Sequence, residues 1–489
     1  MVLMVMQLPS TFTNSIHSIS PFSFLHQSSS CAVLRCSFTH SCVQDSIVTC
    51  RKRKRKRKCC NMSSLAPSFR ASAEFASTSV PALPEKRIVV GCGATGVDFL
   101  AAVSAYPKPD DKIRSTSLKV QGGGNAGNAL TCAARLGLNP RLISKVADDS
   151  QGRAILDELK ADGVDTSYLV VSKEGNSPFT YIIVDSQTKT RTCIHSPGNP
   201  AMVPDDLSQA TLSSALDGAR IVYLDGRLHE TALVVAQEAS CRKIPILIDA
   251  ERPREGLDNL LNFADYVVCS AKFPQAWTEA PSIPSALVSL LVRLPNIKFV
   301  IVTLGEDGCI MLDRCAEAEI PVLEEMDVDS VVESLRQKID GKNAIPTCIQ
   351  SKSVMRLKAD GIGIVNGRLL VGTAEKIPAS ELVDTTGAGD AFIGATLYAI
   401  CANMPPEKML PFAAQVAAVG CRALGARSGL PWRTDPHLAP FLYMLPQKML
   451  PFAAQVSFRS LKWFSMVNRF ALGFIFMLKH QHVSLRCAR

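Results

Sequence analysis

Seven consecutive residues, Asp384-Thr385-Thr386-Gly387-Ala388-Gly389-Asp390, run directly into Ala391–Ile400, an apolar stretch that predicts a helix. Three small residues at a helix start leave several backbone N–H groups unpaired and facing outward. Together with the helix dipole, Gly387, Ala388 and Gly389 would form an anion hole suited to phosphate. Asp390 then stands at the same helix start, beside the anion. A carboxylate there would repel a phosphate as a ligand, but it can accept the proton of a hydroxyl that attacks the phosphorus. Merely complementing the dipole would not require Gly-Ala-Gly ahead of the acid. The chain contains neither a GxxxxGK[ST] loop nor the protein-kinase signature set, which excludes those two phosphotransferase classes.

A second glycine motif, Gly91-Cys92-Gly93-Ala94-Thr95-Gly96, follows a strand pattern and fits G-x-G-x-x-G. An NAD-binding oxidoreductase would need a second strand ending in an acid about twenty residues on. Asp110 and Asp111 arrive near that distance, but behind the turn Tyr106-Pro107-Lys108-Pro109 rather than a strand. The motif therefore reads as a strand-to-loop turn.

The elements that must position these residues alternate between short β-branched runs and amphipathic stretches. Strands are expected at Arg87–Val90, Ile221–Leu224, Pro245–Ile248, Tyr266–Cys269 and Phe299–Val302. Helices are expected between them, as at Asn125–Leu136, Gly152–Ala161 and Glu230–Ala239. Such alternation predicts an α/β fold with a doubly wound, mostly parallel sheet flanked by helices. Lys112–Val120 and Phe179–Ile194 alternate instead like half-exposed antiparallel strands, the latter around a polar turn at Asp185–Lys189, and suggest a small β-sheet attached to the main fold. Residues 315–362 read as an insertion, a solvated surface helix with Val328, Val331, Val332, Leu335 and Ile339 at helical spacing.

The Gly123-Gly124-Asn125 region and the Asp384–Asp390 run together resemble the two signatures of the pfkB, or ribokinase-like, carbohydrate kinases. The resemblance spans about residues 86–440, with lid strands near 99–122 and 179–196. It is strongest to ketohexokinase-like members: Tyr106-Pro107-Lys108, Ile113-Arg114, Gly123-Gly124-Asn125-Ala126 and Asn128 keep that spacing from Asp98, and Glu251-Arg252-Pro253-Arg254-Glu255 is similar to the central segment.

The resemblance implies a ribokinase-like fold and ATP-dependent phosphorylation of a hydroxymethyl group on a small sugar. A fructose-like ketohexose comes first, and ribose or a nucleoside second. Asp390 would be the base. Asp98, at the end of the first strand, would accept from sugar hydroxyls, as an ionised carboxylate can. Gly123, Gly124, Asn125 and Asn128 would line the sugar. Asp110, on the lid, would reach a neighbouring subunit's sugar in a homodimer formed through the lid. On the nucleotide side stand Thr303, Gly305 and Gly308. Ser270-Ala271-Lys272-Phe273 replaces the family's Asn-x-x-Glu, so Lys272 would neutralise phosphate charge and Mg²⁺ would be held by phosphates and water. Asp384 and the loop Gly425–Gly429 would bind a monovalent cation, K⁺. A catalytically silent family member acting as a scaffold is the rival reading.

Composition and charge bound the rest. The 489 residues are 47% hydrophobic, with 29 Gly and 29 Pro, which fits neither a disordered nor a collagenous chain. No apolar run approaches the ~20 residues that span a bilayer, so a soluble globular protein is expected. The net charge of +9 is misleading: residues 1–61 carry +8, residues 445–489 carry +7, and the 383 between carry −6. A body of that sign is poorly suited to specific nucleic-acid binding. Ten of the 17 cysteines fall in the central part without CxxC spacing, mostly in apolar runs, and read as buried thiols of a reducing compartment.

Both ends look separate from the fold. Residues 1–85 read as a targeting or disordered extension. The Ser- and Thr-rich, acid-poor start resembles a plastid transit peptide. The block Arg51–Lys58 could instead be a nuclear localisation signal or a polyanion-binding patch, and Met62 would serve as an alternative, cytoplasmic start. Lys408–Val416 recurs residue for residue at Lys448–Val456. Two copies are too few for a repeat architecture, so residues 441–489 are expected to be a duplicated tail without a site.

Overall fold

Val89 and Val90 are adjacent and both fully buried, yet they belong to different apolar clusters, one on each face of a sheet. Ile221 and Tyr223 divide from Val222 and Leu224 in the same way. Side chains of a strand alternate between faces, so a strand buried on both sides reads as a continuous apolar run. That is why the five central strands were legible.

The computed structural model describes residues 83–315 and 324–442. The basic block, the alternative start and the second copy of the repeat lie outside the described residues. In chain order the strands are β1 (Ile88–Cys92), β2 (Gly96–Val103), β3 (Ser117–Gly123), β4 (Asn139–Ala147), β5 (Leu169–Ser172), β6 (Phe179–Asp185), β7 (Arg191–Ser196), β8 (Ile221–Leu224), β9 (Ile246–Ala250), β10 (Tyr266–Ser270), β11 (Phe299–Thr303), β12 (Cys309–Arg314), β13 (Glu325–Asp327), β14 (Cys348–Gln350), β15 (Met355–Ala359) and β16 (Gly363–Gly372). The large sheet has the order β13-β15-β16-β12-β11-β10-β9-β8-β1-β4-β5, with β14 also on β16. From β11 to β5 every pairing is parallel, and the other end is largely antiparallel. Helices cover both faces, as the strand–helix alternation requires.

Two helices matter most for the site. Asn125–Arg135 packs against Ala388–Cys401, and Gly394 allows the close approach, since a Cβ there would lie 2.6 Å from the Ala129 carbonyl oxygen. The first copy of the repeat, Lys408–Val416, lies in the next helix, Pro406–Gly420.

The smaller sheet has the order β3-β2-β6-β7 and stands apart from the large one. Its hairpin β6–β7 turns through Asp185–Lys189, as expected; Asp185 accepts from the Gln187 amide and the Thr188 hydroxyl, which holds its carboxyl below the usual range. Two expectations need correcting. The strand expected at Lys112–Val120 is β3, displaced to Ser117–Gly123, because the segment before it is taken up by an exposed loop. Asp98 is not at the end of the first strand: β1 stops at Cys92, the glycine motif turns the chain, and Asp98 lies inside β2.

The segment 315–362 is not a solvated excursion. The helix Val328–Arg336 buries Val328, Val331, Val332 and Leu335 in the main core, and β13, β14 and β15 extend the large sheet. The helix is an ordinary amphipathic one, with Glu333 exposed and Asp329 accepting from the Ser285 hydroxyl at 2.8 Å, a pattern that a composition count hides. All ten described cysteines are free thiols, and Cys193 and Cys241 are exposed. Among the described residues no helix is long and apolar enough to cross a membrane.

Candidate active site

Strands β1, β8, β9, β10 and β11 all end on one side of the sheet, and β1 carries β4 on one flank and β8 on the other. Such a reversal of strand order opens a crevice beyond the carboxyl ends of the strands, where α/β proteins bind ligands. A cavity of about 610 Å³ lies there. Ala94 reaches it beyond β1, Arg227 beyond β8, Asp249 and Glu251 from the end of β9, Ser270 and Lys272 from β10, and Thr303 from β11.

The small sheet roofs this cavity with one of its faces. Strand register aligns Gln121, Asp98, Thr180 and His195 in one row across β3, β2, β6 and β7, and Asp98, Thr180 and His195 line the cavity. The neighbouring row, Val120, Phe99, Tyr181 and Ile194, points the other way, and Val120, Tyr181 and Ile194 are exposed. Asp98 is 5% exposed. Desolvation pushes its carboxyl up to about 6, against the lowering field of Arg427 and a hydrogen bond with Thr180. Gly123 is required beside it, because a Cβ there would sit 2.2 Å from the Asp98 carboxylate.

Asp390 occupies the first turn of the helix Ala388–Cys401, and Gly387, at φ 75°, is its left-handed N-cap. Gly387, Gly389 and Asp390 line the cavity, whereas the Ala388 amide turns back to the Thr385 carbonyl at 3.3 Å. Of the predicted anion hole, the amides of Gly389 and Asp390 have no helical carbonyl four residues back to bond. Asp390 Oδ2 accepts from Asn128 Nδ2 at 2.9 Å. Burial raises the Asp390 carboxyl to about 7, the Asn128 bond opposes the shift, and the charge of Glu251 adds to it. The half-buried acid is thus poised to exchange a proton near neutral pH.

The other predicted residues divide by role. Gly124, Asn125, Asn128, Lys272 and Thr303 line the cavity. Gly305 and Gly308 do not: they shape the tight turn between β11 and β12, where Gly308, at φ 83°, leaves no room for a Cβ beside the Gly372 carbonyl. Asp110 is exposed in the turn after Pro107, at φ 67°, outside the cavity. Asp384 is buried, and its carboxylate is used by the chain itself: Oδ1 accepts from the Thr386 amide and hydroxyl, and Oδ2 from the Gly425 amide at 2.8 Å. It ties the anion loop to the loop that follows Pro406–Gly420.

The family model described as pfkB family carbohydrate kinase matches residues 87–332 and 340–433. The chain belongs to this family. It is similar to mouse ribokinase, 24% identical over 73% of this chain and 96% of that one, and to mouse ketohexokinase, 22% identical over 70% and 98%. Two solved structures share the fold: Arabidopsis thaliana ribokinase complexed with ribose and ATP (19% identity, TM-score 0.52, covering 74% and 99%) and a putative ribokinase II from E. coli in complex with ATP and Mg²⁺ (16%, 0.54, 73% and 98%). The protein is an ATP-dependent sugar kinase of the pfkB family, with a ribokinase-like α/β fold.

Three buried groups of this kinase escaped the sequence reading. Asp225, just beyond β8, accepts from the Ala94 amide at 2.7 Å, the Ala126 amide at 3.2 Å and the Arg227 amide at 3.0 Å, so it locks the glycine turn to the helix start. Gly93 makes room for it, since a Cβ there would lie 2.2 Å from that carboxylate. Asp249 faces the cavity; desolvation first, then the charges of Asp390 and Glu251, push its carboxyl well above the usual range. An acid closing an apolar strand run was the available signal for both. Arg427 is the third, an arginine amid small residues with no local pattern to mark it. Arg227 also bonds Asn125 at 3.1 Å and Glu251 at 3.0 Å, and Glu251 pairs with Arg254.

Proposed function

We propose that this kinase moves the γ-phosphoryl group of ATP to a primary hydroxyl of a small sugar, a fructose-like ketohexose first and ribose or a nucleoside second. The observation that carries the reading is the placement of Asp390. Its carboxylate stands at the anion-binding helix start and in the same cavity as Asp98, so one hydroxyl can meet base and phosphorus together. Asp390 takes the hydroxyl proton as the oxygen attacks. The amides of Gly389 and Asp390 stabilise charge on the transferring group, with Lys272 assisting. Positioning and electrostatics of this kind supply most of the catalysis in phosphoryl transfer. Asp98 and Asn125 hold the sugar, and the lid roof excludes water.

Among the described residues no group of three or more His, Cys, Asp or Glu could hold a metal ion by itself. The oxygens of Asp249 and Glu251 nevertheless suit Mg²⁺ bound through water, and Asp249 is crowded by negative charge that a cation would relieve. Mg²⁺ entering with the nucleotide would neutralise phosphate charge. A K⁺ ion at Asp384 would compete with three hydrogen bonds already made there, and the reading assigns it no step. Two lids meeting through their exposed apolar rows would cover Val120, Tyr181 and Ile194, and could bring Asp110 toward a neighbour's sugar.

The test is ADP release by the full chain over a panel of ketohexoses, aldopentoses and nucleosides. Sugar-dependent release, greatest with ketohexoses, is expected. No release with any sugar would leave a catalytically silent member of the family.

A further inference from the structure

Arg427 is 1% exposed, and the chain is hollowed to admit it. A Cβ on Gly122 would lie 2.1 Å from its Nη1, and one on Gly127 would lie 2.4 Å from its Nη2. Gly122 precedes the sugar-binding run and Gly127 lies within it between Asn125 and Asn128; neither is assigned to the sugar, and the guanidinium is what they accommodate. Nη2 donates to the Gly123 carbonyl at 2.9 Å, and Nε donates to Asn128 Oδ1 at 2.9 Å. Nη1 faces Glu158 Oε1 at 3.6 Å and makes no hydrogen bond, while Glu158 Oε2 accepts from the Gly122 amide at 2.5 Å. Burying an unbalanced cation is costly. Glu158, Asp98 and Asp162 are the acids whose charges act on this one, and Arg135 opposes them.

An asparagine amide can turn either end toward a neighbour. With its oxygen held by a guanidinium, which only donates, Asn128 must present its nitrogen to Asp390. Turned the other way, it would set oxygen against carboxylate. We infer that Arg427 is a positioning residue for phosphoryl transfer, fixing the Asn128 amide so that Asn128 Nδ2 holds the Asp390 carboxylate in place. The same guanidinium grips the Gly123 carbonyl beside Asp98, so the sugar-binding strand end and the base share one anchor. This inference rests on the assignment of Asp390 as the base.

The test pairs Arg427→Met with Glu158→Gln, so that the net charge around the site is kept, and uses Arg427→Lys as a second variant should the pair not fold. Two readouts are taken on the full chain. The first needs no activity: titration of Asp390 by carboxyl ¹³C NMR, assigned with Asp390→Asn. Without the ordered amide the Asp390 titration moves up in pH in the double variant, and Asn128→Ala moves it likewise. The second is kinetic. We expect kcat to fall about 10- to 100-fold, the size of a loss of alignment, with a smaller change in sugar KM. Adding Asn128→Ala to the Arg427 variant lowers kcat no further, because the two act through one contact. An unmoved titration in folded variants, or losses that multiply, would overturn the inference. If the wild type turns over no sugar, the kinase reading falls and the titration alone decides the role of Arg427.

Discussion

Arg191 on β7 donates from Nη1 to the hydroxyl of Thr385 at 3.1 Å, joining the small sheet to the loop before the helix Ala388–Cys401. Thr385 is two residues from Gly387, so lid position and anion-hole geometry are linked by one side chain. Arg191 also lines the cavity, and its charge lowers the Asp390 carboxyl against the effect of burial. On the proposed mechanism, removing it frees the small sheet and takes a cation from beside the proposed base, Asp390. Arg191→Ala should therefore raise sugar KM several-fold and increase the ratio of sugar-independent to sugar-dependent ATP hydrolysis. Parallel ADP-release and sugar-phosphate assays measure that ratio, and an unchanged ratio would rule out a latch.

Asp390 itself gives the sharpest kinetic expectation. Asp390→Asn keeps the shape and removes the proposed base, so kcat should fall by roughly 10²–10⁴-fold, while nucleotide affinity measured by calorimetry stays close to wild type. Near-wild-type turnover would reject Asp390 as base. In the wild type, kcat/KM should rise with pH through an acid limb near 7, where the carboxyl loses its proton. Asp98, raised to about 6, adds a second limb below it.

These expectations show how much was legible in the chain. The anion loop, Asp390, Asp98, Asn125 and Asn128 lie in local patterns, glycines and acids at fixed distances from strand or helix ends, and the structure collects them in one cavity. The central strands were legible because burial on both faces leaves an unbroken apolar run. What stayed hidden depends on chain segments far apart in sequence. Asn128 and Arg427 are 299 residues apart, and no local spacing can announce their contact. The segment 315–362 misled because its acids outnumber its valines, although the valines decide which face is buried. Asp98 was misplaced by one strand because Gly93 and Gly96 end β1 and open β2 within four residues.

Two raised carboxyls also set the pH dependence of stability. Asp98 and Asp390 bind protons more tightly folded, at about 6 and about 7, than at the ordinary carboxylate value of 3.8. The folded state therefore holds more protons than the unfolded state between pH 4 and 7, and these groups make stability fall as pH rises through that window. The contribution is fully present near pH 4 and lost above pH 7. At pH 8, Asp390→Asn should unfold later than wild type, by on the order of 1–3 kcal/mol, and the gain should shrink as pH falls below 7 and vanish near pH 4. Urea titrations at the two pH values measure it, and an equal effect at both would mean that the carboxyl is not desolvated as described.

Gly387 concentrates the constraints on the anion hole. It is the left-handed N-cap of the helix Ala388–Cys401, and a Cβ there would lie 2.5 Å from the Ala426 Cβ and 2.8 Å from the Ala426 Cα. Ala426 directly precedes Arg427, so the methyl of Gly387→Ala would push on the segment that anchors Asn128 while straining its own backbone. A left-handed alanine costs about 1–2 kcal/mol, and overpacking against backbone adds about 1–3 kcal/mol. The variant should melt several degrees lower. If the loop yields instead, it should show a loss of kcat larger than its loss of ATP affinity, because the amides of Gly389 and Asp390 shift with the cap. Gly389→Ala is the control: a Cβ at Gly389 meets nothing within 4 Å, so the fold should keep its stability and only the cavity wall changes. Equal melting temperatures for the two variants would show that the left-handed cap and the Ala426 contact do not constrain this loop.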